Sequence, residues 1–187
     1  NGQSVNFNQI MKQEIIFINV TINFKQSYTG DKIPITFDRY IIKNNIKIYE
    51  KEKIYIDIPP GIDNDETIML SNKGNIDTNN NIGDVKIHIN IENDTKFERN
   101  GLDLYILKLI TLKESLCGFK FELKHINGKS YNINNTLGNI IKPNYKKVIK
   151  NMGFKKDDYV GDLIIEFFID YPEKMDIEII NKLDNIL

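Results

Sequence analysis

The nine residues INFKQSYTG at positions 22–30 return as ITLKESLCG at positions 110–118, with the leading Ile, the Lys, the Ser and the closing Gly in the same places. A second pair extends the likeness: GDVKIHINI at 83–91 reappears as GDLIIEFFI at 161–169. Each of these follows a loop entered through Gly74 or Gly153. The front motifs lie 88 positions apart and the rear ones 78, so the first copy carries extra length, placed near residues 39–56. A chain that repeats a whole strand-turn-strand unit folds as two similar small domains in tandem.

The text inside each copy is β-rich. EIIFINVTI alternates branched residues and sets Ile16, Ile18, Val20 and Ile22 on one face of a strand. NFKQSYTG breaks that alternation over about one helical turn, and Gly30 suits the left-handed position that ends it. KIPITFDRYI and IKIYEKEKIYIDI read as strands, and Pro59-Pro60-Gly61 stops the second. TIML and VKIHINIE complete the first half. The second half follows with LDLYILKLI, the helical turn TLKESLCG, FKFELKHI, a tight Asn127-Gly128 hairpin into KSYNIN, then KVIKNMG and GDLIIEFFIDYP, closed by Pro172.

The expected fold class is all-β, with two tandem β-sandwich domains at 14–93 and 94–173, each with a short helical turn. A linker remnant at 1–13 precedes them and a C-terminal helix at 174–187 follows. In that tail Asp176 is placed as N-cap, and Ile177, Ile180, Leu183 and Leu187 recur at helical spacing. So short a helix docks its apolar stripe either on its own second domain or on another copy of the chain.

Composition removes several classes of function. The 187 residues carry a formal net charge of -1, which gives no global field to attract nucleic acid or an anionic membrane. No apolar run reaches membrane-spanning length, and no basic-then-apolar leader opens the chain. With one cysteine, Cys117, neither an internal disulfide nor a multi-thiolate zinc site can form, and the expected location is cytoplasmic. His88 and His125 have no second ligand at metal spacing, so no metal or cofactor is expected. NGKS at 127–130 joins strand to strand instead of opening a helix, so it is not a phosphate loop. Ser27, Ser115 and Cys117 have no base placed by spacing, and the chain is read as non-enzymatic. What remains is the apolar stripes of the strands. They serve as sandwich core, or in part as an open surface where an extended segment adds main-chain hydrogen bonds.

The series IPPGID, IMLSNKG, GDVKIHI, FERNGLDLY, ITLKESLCGF, INGKSY, NMGF and GDLIIEFFIDYPEK resembles the C-terminal substrate-binding region of J-domain (DnaJ-type) co-chaperones, from about Glu14 to Leu187. The resemblance implies two sandwiches of the DnaJ C-terminal type and a first-domain groove for unfolded client polypeptide. By the family pattern Ile18, Val20, Ile35, Phe37 and Ile87 line that groove. It also implies homodimerisation through the C-terminal helix, here Ile177, Ile180, Leu183 and Leu187, and partnership with the seventy-kilodalton heat-shock chaperone. The acidic tail of that chaperone would dock near the second strand, which keeps only Lys32 and Arg39 where the family is Lys-rich. Pro34 in this strand is expected to remove one ladder donor. Neither the J domain, with its His-Pro-Asp motif, nor the paired Cys-x-x-Cys insertion lies in these residues, and the second absence resembles the class without zinc. The alternative is an adaptor or assembly protein of the same architecture that binds one folded partner.

Overall fold

The computed structural model describes residues 14–136 and 138–186, so the linker expected at 1–13 and the terminal Leu187 lie outside the described residues. The chain divides into two compact units, one ending at Glu92 and the other beginning at Asn93.

In the first unit β1 (Ile16–Asn23) leads into α1 (Phe24–Thr29), then β2 (Asp31–Lys43) and β3 (Ile46–Ile58) form a long hairpin. β4 (Thr67–Leu70) and β5 (Val85–Glu92) complete it. β5 sits between β1, which it pairs in parallel, and β4, which it pairs antiparallel. The β2–β3 hairpin is a separate two-stranded sheet. The inward residues of the two sheets meet in one cluster built on Ile22, Ile35, Phe37, Ile56, Ile58, Val85, Ile87 and Ile89. That face-to-face packing makes the unit a β-sandwich.

The second unit repeats the plan with β7 (Asp103–Thr111), α2 (Leu112–Cys117), the hairpin β8 (Phe119–Lys124) and β9 (Ser130–Asn135), β10 (Lys146–Ile149) and β13 (Leu163–Asp170). It adds β6 (Phe97–Asn100) beside β7, a small hairpin of β11 (Lys155–Lys156) and β12 (Tyr159–Val160), and the terminal α3 (Ile177–Asp184). β13 pairs with β7 in parallel, as β5 does with β1. The extra length of the first copy is the outer part of β2–β3, whose strands have 13 residues each against 6 each in β8–β9. Asn44 and Asn45, both at positive φ, turn that longer hairpin in two residues.

The two copies of the opening motif form equivalent corners. Asn23 and Gln26 cap α1 reciprocally, and Thr111 and Glu114 do the same for α2. Gly30 ends α1 at φ 71° and ψ 163°. This is a glycine-only conformation beyond the left-handed helical position expected for it. A β-carbon there would sit 2.8 Å from the Ile58 carbonyl oxygen, so the site excludes other residues twice over.

The GD pairs recur because each secures a crossing of chain segments. The Gly153 N–H donates to the Gly161 carbonyl at 2.8 Å, as the Gly74 N–H does to Gly83. A β-carbon on Gly161 would overlap the Leu102 carbonyl. The neighbouring Asp162 accepts from Lys150 Nζ at 2.7 Å and from the Asn151 N–H at 3.0 Å. These bonds, Lys150 first, hold its carboxyl below the ordinary value of 3.8. A carboxylate held low in the folded chain stabilises it at neutral pH, and that contribution is lost as pH falls below the ordinary value. Asp162→Asn is therefore expected to lower stability at neutral pH and to weaken the acid dependence of unfolding, measured by denaturant titration across the acid range.

Candidate functional site

β1 pairs with β5 along one side only. The Ile16 N–H donates to the Asp84 carbonyl, so the even-numbered residues of β1 turn their backbone toward β5. By the strand alternation, Phe17, Asn19 and Thr21 aim their backbone groups at the open side.

β2 likewise pairs with β3 on one side. On its other side the Ile76 N–H donates to the Tyr40 carbonyl and the Ile42 N–H to the Ile76 carbonyl, both at 2.9 Å. The Tyr40 N–H reaches Asn75 Oδ1 at 2.9 Å. The Asn75-Ile76 segment thus closes the far half of this edge and leaves Lys32, Pro34, Thr36 and Asp38 on the open half. The Lys32 N–H is taken by Asp31 Oδ1 at 2.7 Å. The missing N–H of Pro34, expected to remove one ladder donor, falls on this open edge instead, and pairing with β3 runs unbroken from Asp31 to Lys43. Thr36 and Asp38 keep backbone donors without a partner among the described residues.

The five expected groove residues gather in one cluster but at two depths. Ile18 and Val20 are half-buried and pack on the core, with Ile16 and Ile33 beside them. Ile35 and Phe37 are each 7% exposed and Ile87 is fully buried, so these three form the floor beneath that rim. Half-buried apolar side chains next to unpaired strand edges can take an extended segment, whose backbone satisfies the edge while its side chains cover the rim.

The cations expected to meet an acidic segment already have partners. Arg39 points into the core-facing side of the hairpin, where its guanidinium lies 2.7 Å from Glu50 and 3.1 Å from Glu52 and its side chain is 16% exposed. Lys32 makes a 3.6 Å pair with Asp57, and both side chains are open to solvent.

In the second unit α3 has no buried residue. Asp176 takes the N-cap backbone conformation but makes no side-chain capping bond. Ile179 and Leu183 line a cleft with Leu112, Leu116 and Met175, so one side of the helix faces its own domain. Ile177 and Ile180 remain 66% and 44% exposed, and Leu187, the fourth residue of the expected stripe, lies outside the described residues. Among the described residues no three His, Cys, Asp or Glu side chains converge on a common point, and no helix is long and apolar enough to cross a membrane.

The family model for the DnaJ C terminal domain matches residues 16–172. The chain belongs to the DnaJ C-terminal domain family. The "Chaperone protein DnaJ" of Borreliella burgdorferi is 30% identical over 173 residues, covering 91% of this chain and 47% of that protein. The "DnaJ protein homolog 1" of Allium porrum is 27% identical over 138 residues, covering 72% and 35%. The "Chaperone protein dnaJ 3" of Arabidopsis thaliana is 26% identical over 148 residues, covering 78% and 35%. The chain thus spans from 35% to 47% of the length of these curated relatives.

In this DnaJ C-terminal region the difference in depth has a direct energetic consequence. Truncating Phe37 to Ala empties a packed site and is expected to cost about 3–5 kcal/mol. Val20→Thr, at a half-buried rim position, is expected to cost about 1 kcal/mol, the typical cost of a single substitution. Urea unfolding of the two variants measures both.

Proposed function

We propose that this chain is the client-holding region of a DnaJ-type co-chaperone, which takes non-native polypeptide in extended form along the first unit. The observation that carries this reading is the half-buried rim of Ile18, Val20 and Ile33 beside the open edges of β1 and β2. Backbone pairing at such an edge is indifferent to client sequence, and the apolar rim asks only for alternate apolar side chains. Binding of this kind needs no catalytic group, and the chain acts without enzymatic turnover of its own.

The client then passes to the seventy-kilodalton heat-shock chaperone in the cytoplasm. Lys32, whose pair with Asp57 is long and solvated, is the cation that an acidic tail can compete for. Arg39 would have to give up two carboxylates to do the same. Homodimerisation uses the exposed side of α3, with Ile177 and Ile180 at its centre. Two modest sites in one dimer strengthen capture by raising effective concentration.

Replacing Ile18 and Val20 together by Thr is expected to weaken capture of chemically denatured proteins about tenfold, a loss of about 1.4 kcal/mol, while the fold is kept. Unchanged capture would refute the groove. Protection of only one among several unrelated denatured proteins would favour a dedicated adaptor. For the dimer, Ile177→Asp with Ile180→Asp is expected to reduce the mass in solution to the 21.8 kDa of one chain, and an unchanged mass would place the interface elsewhere.

A further inference from the structure

The second unit fills a place that the first leaves open. There β6 runs antiparallel along the side of β7 away from β13, with Phe97 opposite Ile106 and Glu98 opposite Tyr105. Opposed residues share a sheet face, so Phe97 points inward with Ile106. Phe97 is 6% exposed, and its ring packs edge-on against the buried His125 with centroids 5.8 Å apart. One short strand thus gives β7 its backbone partners and gives the core an aromatic plug. The 88-residue offset of the corner motif takes Ile106 to Ile18, Tyr105 to Phe17 and His125 to Phe37. Burial follows the same offset, since Ile35 and Phe37 are buried as Leu123 and His125 are. The plug has no such counterpart. The offset puts Gln9 where Phe97 stands, and no described residue pairs with the open side of β1.

The backbone donors favour the same edge. Phe17, Asn19 and Thr21 each turn an N–H and a carbonyl to the open side of β1. On the open half of β2 the Lys32 N–H is taken by Asp31, and Pro34 has none. A segment laid on β2 would leave its carbonyls opposite those two residues unpaired, whereas on β1 it meets a donor at every second residue. The Phe17 side chain, 72% exposed, lies on the outer face with its ladder neighbours Lys86 and Met69, away from the inward rim.

We infer that the first unit selects client segments with an aromatic residue, which bind antiparallel to β1 and set that ring beside Ile18 and over Phe37. The client then completes the first unit as β6 completes the second, and its ring does what Phe97 does. The residue after the ring falls opposite Phe17 and the residue before it opposite Asn19, as the register of β6 on β7 requires. Edge-on packing of the ring on Phe37 adds to the area it covers, which an aliphatic side chain at that place does not gain. The inference rests on the client-holding reading of the chain, and it adds to that reading the edge, the direction and the side-chain class.

The test uses the whole chain with a short fluorescent peptide, Thr-Leu-Thr-Phe-Thr-Leu-Thr, and the same peptide with Leu in place of Phe. The Phe peptide is expected to bind about fivefold more tightly, and equal affinity would overturn the inference. For edge and direction, Phe17→Cys is made in a chain carrying Cys117→Ser, both at exposed positions where the fold is kept. A peptide with Cys one place after Phe is expected to form a disulfide with that chain, and a peptide with Cys one place before Phe is not. Trapping of the second peptide instead would reverse the direction, and trapping by Thr36→Cys in place of Phe17→Cys would move the segment to β2. Either result overturns the inference. If Ile18→Thr with Val20→Thr abolishes binding while one of these results goes the wrong way, the groove stands and this assignment alone falls. Binding unchanged by those two substitutions removes the groove reading itself, and the inference with it. A rise in peptide affinity on deleting residues 1–13 would make that segment the occupant and overturn the inference too.

Discussion

Each sandwich depends on the capped corner that carries the chain out of its first sheet and into its second. In the first unit the Asn23–Gln26 pair starts the corner, and in the second the Thr111–Glu114 pair does so. Caps of this kind contribute about 1 kcal/mol each, but their larger effect is directional, because they fix where β1 and β7 stop. The Ser of each motif then ties the corner to the chain returning from the hairpin. Ser27 Oγ donates to the Ile62 carbonyl at 3.0 Å, and its own carbonyl accepts from the Gly61 N–H at 2.8 Å. In the second unit the Ser115 carbonyl accepts from the Ile141 N–H at 3.0 Å. With the corner held at both ends, the two sheets must lie face to face and bury their Ile-rich sides.

That arrangement has an unavoidable by-product. A three-stranded sheet on a two-stranded hairpin leaves edges, and a sandwich too small to close into a barrel must cover them, blunt them or use them. The first unit covers part of β2 with the Asn75-Ile76 segment and places Pro34 on the part left open. It leaves β1 unpaired on one side. The second unit adds β6 over the start of β7 and stops it after four residues. The same structural problem is met differently in the two copies, and the surface proposed for client binding in the first unit is the stretch left uncovered.

The all-β class and the recurring corner were legible in the sequence, because alternation of period two and a repeated motif both survive without tertiary information. The short elements were not. β11 and β12 have two residues each, too few for any period, and β6 lies in FERN, which has no alternating apolar pattern. The Asn44-Asn45 turn was hidden because an Asn-rich chain makes Asn pairs uninformative. For the site, alternation identifies a face but not a depth. Ile18 and Phe37 each lie on the inward face of their own strand, and only the pairing of distant strands decides that one reaches solvent and the other does not. Which side of β2 lacks a partner is set by Asn75 and Ile76, more than thirty residues along the chain, so the harmless position of Pro34 could not be read locally. The engagement of Arg39 by Glu50 and Glu52 has the same origin, since it follows from the register of the hairpin and not from the sequence around Arg39.

The central claim is that non-native polypeptide joins the first unit as an added strand over an apolar rim. Amide hydrogen exchange of the whole chain, with and without a saturating denatured client, tests it residue by residue. The account predicts slowed exchange at the unpaired edge amides, Phe17, Asn19 and Thr21 of β1 or Thr36 and Asp38 of β2, with the already bonded β3 amides unchanged. Client binding that leaves all of those edge amides exchanging at their free rate would contradict it.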